Sequence, residues 1–155
     1  NTDAEGRLIL ADALTRAGKG EPELVIDFAT LTGAARIALG PDLPALFCSD
    51  DALADDLAKA GKDVTDPLWR MPIWDAYDEM LKSDVADLAN AAGSPMAGAV
   101  VAAMFLKRFV PKDVPWAHFH TYAWRDKAKP GRPKGGEALG LRAVFAALSA
   151  RYRHG

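Results

Sequence analysis

Leu8, Leu10, Ala11, Leu14 and Ala17 recur at near-helical spacing, and Gly18 and Gly20 supply a stop. The pattern predicts a helix over residues 7–19. After a break at Gly20 and Pro22, residues 23–30 form a short apolar run with β-branched members, which reads as a buried strand. It leads into Leu31-Thr32-Gly33-Ala34, a strand-to-helix turn of the kind that presents backbone groups at the edge of an α/β sheet. The ordinary explanation of that turn is a Gly33 needed for its dihedrals. Residues 45–49 predict another strand. Residues 50–60 predict a helix capped by Ser49 or Asp50 and stopped by Gly61. Residues 68–72 read as a short extended piece broken by prolines on both sides. Residues 73–81 follow as a helix whose Trp74, Tyr77 and Met80 stripe suits core or subunit contact.

Residues 93–109 are the most apolar segment. Ala99, Val100, Ala102, Ala103, Phe105, Leu106 and Phe109 leave little polar face, so this helix is expected to be buried on most sides. Residues 115–124 alternate as a strand does. Trp116, His118, His120, Tyr122 and Trp124 share one face, and Ala117, Phe119, Thr121 and Ala123 the other. Residues 125–136 are a basic, Pro/Gly-rich loop with no element of its own, bordering a pocket or a neighbouring subunit if it is not simply solvated. Residues 137–152 close the chain as an amphipathic helix. Strands alternate with helices, so the class is α/β: a mixed, mostly parallel sheet flanked by helices on both faces.

Composition changes this picture little. Half of the 155 residues are hydrophobic and 26% are charged, as in soluble globular domains. A net charge of −2 supplies no electrostatic footprint for nucleic acid or an anionic membrane, and neither partner is expected. No apolar run reaches the length of a membrane span. The single cysteine, Cys48, excludes an intrachain disulfide, suits a reducing compartment, and reads as a buried structural thiol beside Leu46 and Phe47.

Candidate chemistry concentrates in Asn1-Thr2-Asp3-Ala4-Glu5-Gly6-Arg7-Leu8. In an extended segment Asp3 and Glu5 would point the same way and could converge on a hard divalent cation. Gly6 would allow close backbone approach. Arg7 offers a permanently charged, planar donor fork for an anion. The competing explanation is a capping box, with Thr2 as N-cap and Glu5 at N3. His118 and His120 form a second candidate, an H-x-H pair that can bind zinc from one strand face or serve as hydrogen-bonded core histidines.

The full octet resembles the signature of the leucyl (cytosol) aminopeptidases, a family of dinuclear metallopeptidases. Ala29-Thr30-Leu31-Thr32-Gly33-Ala34 is similar to that family's substrate loop, residues 82–90 to a segment close to its active centre, and Trp116-Ala117-His118 to one of its strands. The resemblance implies that Asp3 and Glu5 are metal ligands to two divalent ions (Zn or Mn), and that Arg7 holds a catalytic bicarbonate. It also implies that Asp3, Thr30, Leu31 and Gly33 contact a peptide substrate. No ligand role follows for Asp84, Asp87 or His118.

The same resemblance implies a cytoplasmic enzyme that removes N-terminal residues from peptides and assembles as a homohexamer when full length. This chain would be the C-terminal portion of the catalytic domain, without the N-terminal domain and the first part of the catalytic domain. The family's other ligands, a Lys and two Asp, and its second catalytic Lys would lie outside it, so the isolated chain is expected to be inactive. Two stretches depart from the family pattern. Trp-Ala-His-Leu-Asp-Ile-Ala-Gly is Trp116-Ala117-His118-Phe119-His120-Thr121-Tyr122 here, and Ala-Thr-Gly-Phe-Gly-Val-Arg is replaced by Gly136-Glu137-Ala138-Leu139-Gly140-Leu141-Arg142. A preference for leucine is therefore not implied. The rival expectation is a non-catalytic α/β scaffold or oligomerisation domain in which Asp3 and Glu5 only cap a helix.

Overall fold

The alternation from Trp116 to His120 decides where the two faces of the sheet go. The computed structural model describes residues 2–90 and 94–153, with side chains from Ala4 onward. In chain order the elements are α1 (Thr2–Gly18), β1 (Val25–Ala29), α2 (Ala34–Leu39), β2 (Ala45–Cys48), α3 (Asp51–Asp63), β3 (Trp69–Arg70), a 3-10 helix (Asp75–Leu81), α4 (Gly98–Lys107), β4 (Trp116–His120), β5 (Trp124–Arg125), β6 (Gly135–Gly136) and α5 (Leu141–Arg151). The main sheet has the order β1-β4-β2-β3. β4 runs parallel to β1 and antiparallel to β2, and β2 runs parallel to β3. The sheet is thus mixed and mostly parallel.

Every residue of β4 is buried, as a strand covered on both faces requires. Trp116 packs with Val25, Ala45 and Phe47 against Ala11 and Leu14 of α1, Ala35 of α2 and residues Ala99 to Leu106 of α4. Ala117 and Phe119 pack on the opposite side with Leu46 and Cys48 against Leu53, Ala54 and Leu57 of α3 and Val144 of α5. In α4 the eight consecutive residues from Ala99 to Leu106 are all buried, as its all-round apolar pattern predicts. Burial also pushes the Cys48 thiol above its ordinary pKa, which keeps it protonated and inert.

Several boundaries differ from expectation for identifiable reasons. Asp50 caps α3, its Oδ1 accepting the Leu53 N–H at 2.7 Å. Gly61 does not stop that helix; it lies inside it. Its role is close packing: a Cβ there would sit 2.6 Å from the Asp66 carbonyl oxygen and 3.4 Å from the Ala143 Cβ. Asp66 in turn accepts the N–H groups of Gly140 (3.1 Å), Arg142 (3.0 Å) and Ala143 (3.2 Å), capping α5 from a distant loop. Gly61→Ala should gain up to about 1 kcal/mol of helix propensity. It should lose about 1–3 kcal/mol to overpacking against backbone that cannot rotate away. Net destabilisation is expected, measured as a lower urea midpoint; a raised midpoint would contradict the packing role.

The segment after Pro72 forms a 3-10 helix, and its aromatic stripe does not enter the core of this chain. Trp74 is 57% and Tyr77 38% exposed. Ion pairs turn the piece the other way, Asp75 meeting Lys107 (3.6 Å) and Asp78 meeting Arg108 across to α4. The basic loop also has structure of its own, because β5 and β6 pair as a short antiparallel hairpin. Three of its cations, Arg125, Lys129 and Arg132, are paired with acids. Arg125, 5% exposed, lies between Glu137 (2.8 Å) and Asp42 (3.1 Å). Arg132 adds a second bond to Glu137 at 2.8 Å. The Arg125 guanidinium holds the Glu137 carboxyl below the usual carboxylate range, and Lys129 does the same for Asp42.

Candidate active site

The N-terminal turns of α1 meet the loop that follows β1. Gly6 faces Leu31, whose Cδ1 would lie 3.6 Å from a Cβ added at Gly6. That is ordinary contact, so glycine is not required there by packing within this chain. Arg7 is buried, 6% exposed, and its Nη1 donates to the Asn90 carbonyl oxygen at 2.7 Å. The segment carrying Asn90 is folded back on itself by a bond from the Ala89 N–H to the Leu81 carbonyl (2.8 Å), and Leu88 packs against the core. Asp84 and Asp87 on the same segment are exposed. Three stretches distant in sequence therefore converge: the start of α1, the loop of residues 30–34, and residues 82–90.

The extended geometry expected for Asp3 and Glu5 is not what forms. α1 begins at Thr2, one residue before the start implied by the capping box, a difference within normal variation at helix ends. Both acids are therefore helical, and residues two apart on a helix do not share a face. Strand alternation cannot be what makes them converge. The side chains of Thr2 and Asp3 lie outside the described residues. The Glu5 carboxylate is exposed, with no hydrogen bond or ion pair among the described residues. It is an available hard oxygen donor, the kind a Zn or Mn ion accepts. No group of three or more His, Cys, Asp or Glu is gathered for a metal among the described residues. Glu5 fits as one oxygen donor of a metal site.

The loop of residues 30–34 is held from the sheet. The Thr32 N–H donates to His120 Nε2 at 2.8 Å, and Thr32 Oγ1 accepts the Ala34 N–H at 3.2 Å where α2 begins. Thr30 is exposed and Leu31 buried. Gly33 has φ −72° and ψ −18°, right-handed helical values open to any residue. Turn geometry thus does not require the glycine, and a Cβ there would meet only the Arg36 guanidinium at ordinary distances of 3.7 and 3.9 Å. Thr30, Thr32, Gly33, Arg36, Thr121 and Tyr122 line a recess of about 250 Å³, with the Arg36 guanidinium 4.9 Å above the Tyr122 ring.

His118 and His120 are not arranged as an open metal pair. His118, fully buried, lies with Nδ1 2.5 Å from Asp27 Oδ1, and Trp116 Nε1 donates to Asp27 Oδ2 at 2.7 Å. His120 Nε2 is engaged by Thr32. The two rings meet edge-on, centroids 5.6 Å apart. They are core histidines, each bonded to its own partner.

Residues 1–145 match the model of the cytosol aminopeptidase family, catalytic domain. The chain belongs to that family. It is 52% identical over 147 residues to a probable cytosol aminopeptidase of Syntrophotalea carbinolica, covering 94% of this chain and 29% of the relative. It is 48% identical over 155 residues to that of Geobacter sulfurreducens, covering 99% of this chain and 31% of the relative. Among solved structures, the cytosol aminopeptidase of Coxiella burnetii superposes with a TM-score of 0.94 at 58% identity, over 99% of this chain and 34% of that one. The bottromycin maturation enzyme BotP in complex with Mn superposes at 0.87 with 38% identity, over 97% of this chain and 34% of that one. The chain thus spans about 30% of the length of the curated relatives it matches.

Asn90 and His120 are the site-forming residues that the sequence alone does not single out for their roles. Their contacts join residues 83 and 88 positions apart, and no local spacing announces them.

Proposed function

We propose that this chain supplies part of the active site of a cytoplasmic, metal-dependent aminopeptidase that releases N-terminal residues from peptides. The observation that carries the proposal is the convergence of the octet, the 30–34 loop and residues 82–90 around a buried Arg7. An arginine held away from solvent, with Nη1 bonded to a backbone carbonyl, is a fixed, permanently charged planar fork of the kind that suits an anion. Bicarbonate fits that role.

Asp3 and Glu5 would contribute carboxylates to two divalent ions, Zn or Mn. Such ions supply a polarised scissile carbonyl and a water of lowered pKa. Thr30, Leu31 and Gly33 would hold the peptide along the loop edge, with Asp3 at the substrate amine. Two dications need more carboxylates than this chain brings, so the rest of the site belongs to further sequence of the protein. A homohexamer is the expected assembly of that protein.

The protein that carries this chain should hydrolyse aminoacyl-p-nitroanilides in the presence of manganese or zinc, and lose activity on dialysis against a chelator. The isolated 155-residue chain should show neither activity nor tight binding of two ions by calorimetry. Tight binding of two ions to the isolated chain would overturn the division of the site. Metal-independent turnover, or none in the whole protein, would favour the scaffold reading.

A further inference from the structure

The loop of residues 30–34 needs an anchor if it is to present its backbone to a peptide, and the structure offers one on β4. Three polar atoms of Thr32 surround a single imidazole nitrogen, His120 Nε2: the backbone N at 2.8 Å, the carbonyl oxygen at 3.0 Å and Oγ1 at 3.2 Å. A backbone N–H can only donate and a carbonyl oxygen only accept, so one tautomer of the ring bonds the Thr32 N–H and the other the Thr32 carbonyl; the N–H contact is the shorter, and it is made when Nε2 carries the lone pair. The ring itself has little freedom. It is 2% exposed, on a strand flanked by Ala29 of β1 and Ala45 of β2. It lies edge-on against His118, which is bonded to Asp27.

We propose that His120 is a positioning residue for this loop: its Nε2 lone pair fixes the Thr32 amide and so orients the Leu31 carbonyl toward the peptide. Planarity supplies the second step. In a trans peptide unit the N–H of one residue and the C=O of the preceding one point in opposite directions. Holding the Thr32 N–H on the sheet therefore turns the Leu31 carbonyl away from the sheet, where an acceptor for a substrate N–H is needed. The bond from Thr121 N–H to the Ala29 carbonyl (3.0 Å) fixes the strand end just before the loop. The family pattern has Asp where this chain has His120, and a carboxylate is likewise an acceptor. Acceptance of the Thr32 N–H, more than the imidazole, is the feature to test. The inference rests on residues 30–33 being the peptide-holding loop.

Glutamine places its amide oxygen near the position of Nε2, whereas asparagine is too short and leucine has no acceptor. In the protein that carries this chain, His120→Leu should speed deuterium exchange in the peptide covering residues 30–34 about tenfold or more. It should lower kcat/KM on aminoacyl-p-nitroanilides about 10–100-fold, with metal content by elemental analysis unchanged. His120→Gln should restore both. Should His120→Leu fail to fold, His120→Asn carries the same comparison. Unchanged exchange in the Leu or Asn variant overturns the positioning role outright. Faster exchange with unaltered kcat and KM shows a tether on a loop that does not hold substrate, which overturns the loop assignment and with it the role proposed here. Failure of Gln to rescue assigns the effect to ring packing and overturns acceptance as the cause.

Discussion

Glu5→Gln in the protein that carries this chain is expected to lower kcat by about 10²-fold or more while leaving the thermal midpoint within a degree or so. The scale is that of removing one well-placed electrostatic contact to the reacting centre. The separation of the two readouts follows from Glu5 being exposed and unpaired among the described residues. Surface substitutions of this kind change stability by about 0.5 kcal/mol or less. The change is isosteric and removes only charge, so lost activity would mean that the carboxylate itself acts on cations or substrate. The scaffold alternative makes the opposite prediction: if Glu5 merely complements the start of α1, turnover stays at the wild-type value and a few tenths of a kcal/mol of helix stability disappear. Steady-state kinetics beside a melting curve separate the two.

The second large effect concerns stability. Asp27→Ala should destabilise the protein severely, because one carboxylate serves two buried side chains. Oδ2 accepts from Trp116 Nε1 and Oδ1 is bonded to His118 Nδ1, on a strand whose every residue is buried. Removing it leaves two polar atoms without partners in a site too enclosed for bulk water. Each orphaned donor costs about 1–3 kcal/mol. Asp27→Asn keeps one carbonyl oxygen and should recover part of the loss. Thermal unfolding of the two variants checks the order wild type, Asn, Ala; an Ala variant within about 0.5 kcal/mol of wild type would show that the pair of bonds contributes nothing net.

Much of the fold was readable from one-dimensional pattern, because the pattern records burial. Alternation over residues 115–124 placed the two faces of the central strand, although the strand itself ends at His120, and the apolar stretch of residues 93–109 announced a helix buried on most sides, formed from Gly98 to Lys107. The misread elements are those where a residue's meaning depends on a distant partner. Gly61 looked like a helix stop; only the approach of the Asp66 carbonyl shows that it is there for lack of a side chain. The Trp74–Tyr77–Met80 stripe suggested core or subunit contact; Met80 packs against the core, while the acids between those residues bind the basic end of α4 and the two aromatics turn outward. A Pro/Gly-rich basic loop read as structureless until Glu137 and Asp42 were seen to gather its cations.

The candidate site divides in the same way. The octet names the proposed donors by residue type, but the extended conformation in which Asp3 and Glu5 would converge does not form, since the helix already includes Thr2. Asn90 entered through its backbone carbonyl, which no side-chain motif can report. His120 read either as half of a zinc pair or as a hydrogen-bonded core histidine; the second holds, but its partner, Thr32, lies 88 residues earlier and no local spacing names it.

The order in which the strands sit has a consequence for how the chain reaches this shape. β1 and β2 come early in the sequence but never touch each other as neighbours in the sheet; the strand between them arrives last, with Asp27 and His118 separated by 91 positions. Until that strand inserts, both early ones have exposed edges open to mispairing. A long loop must close before any reward is collected, so acquisition of the native state should be slow for a domain of this size and should depend most steeply on residues of the late-arriving strand.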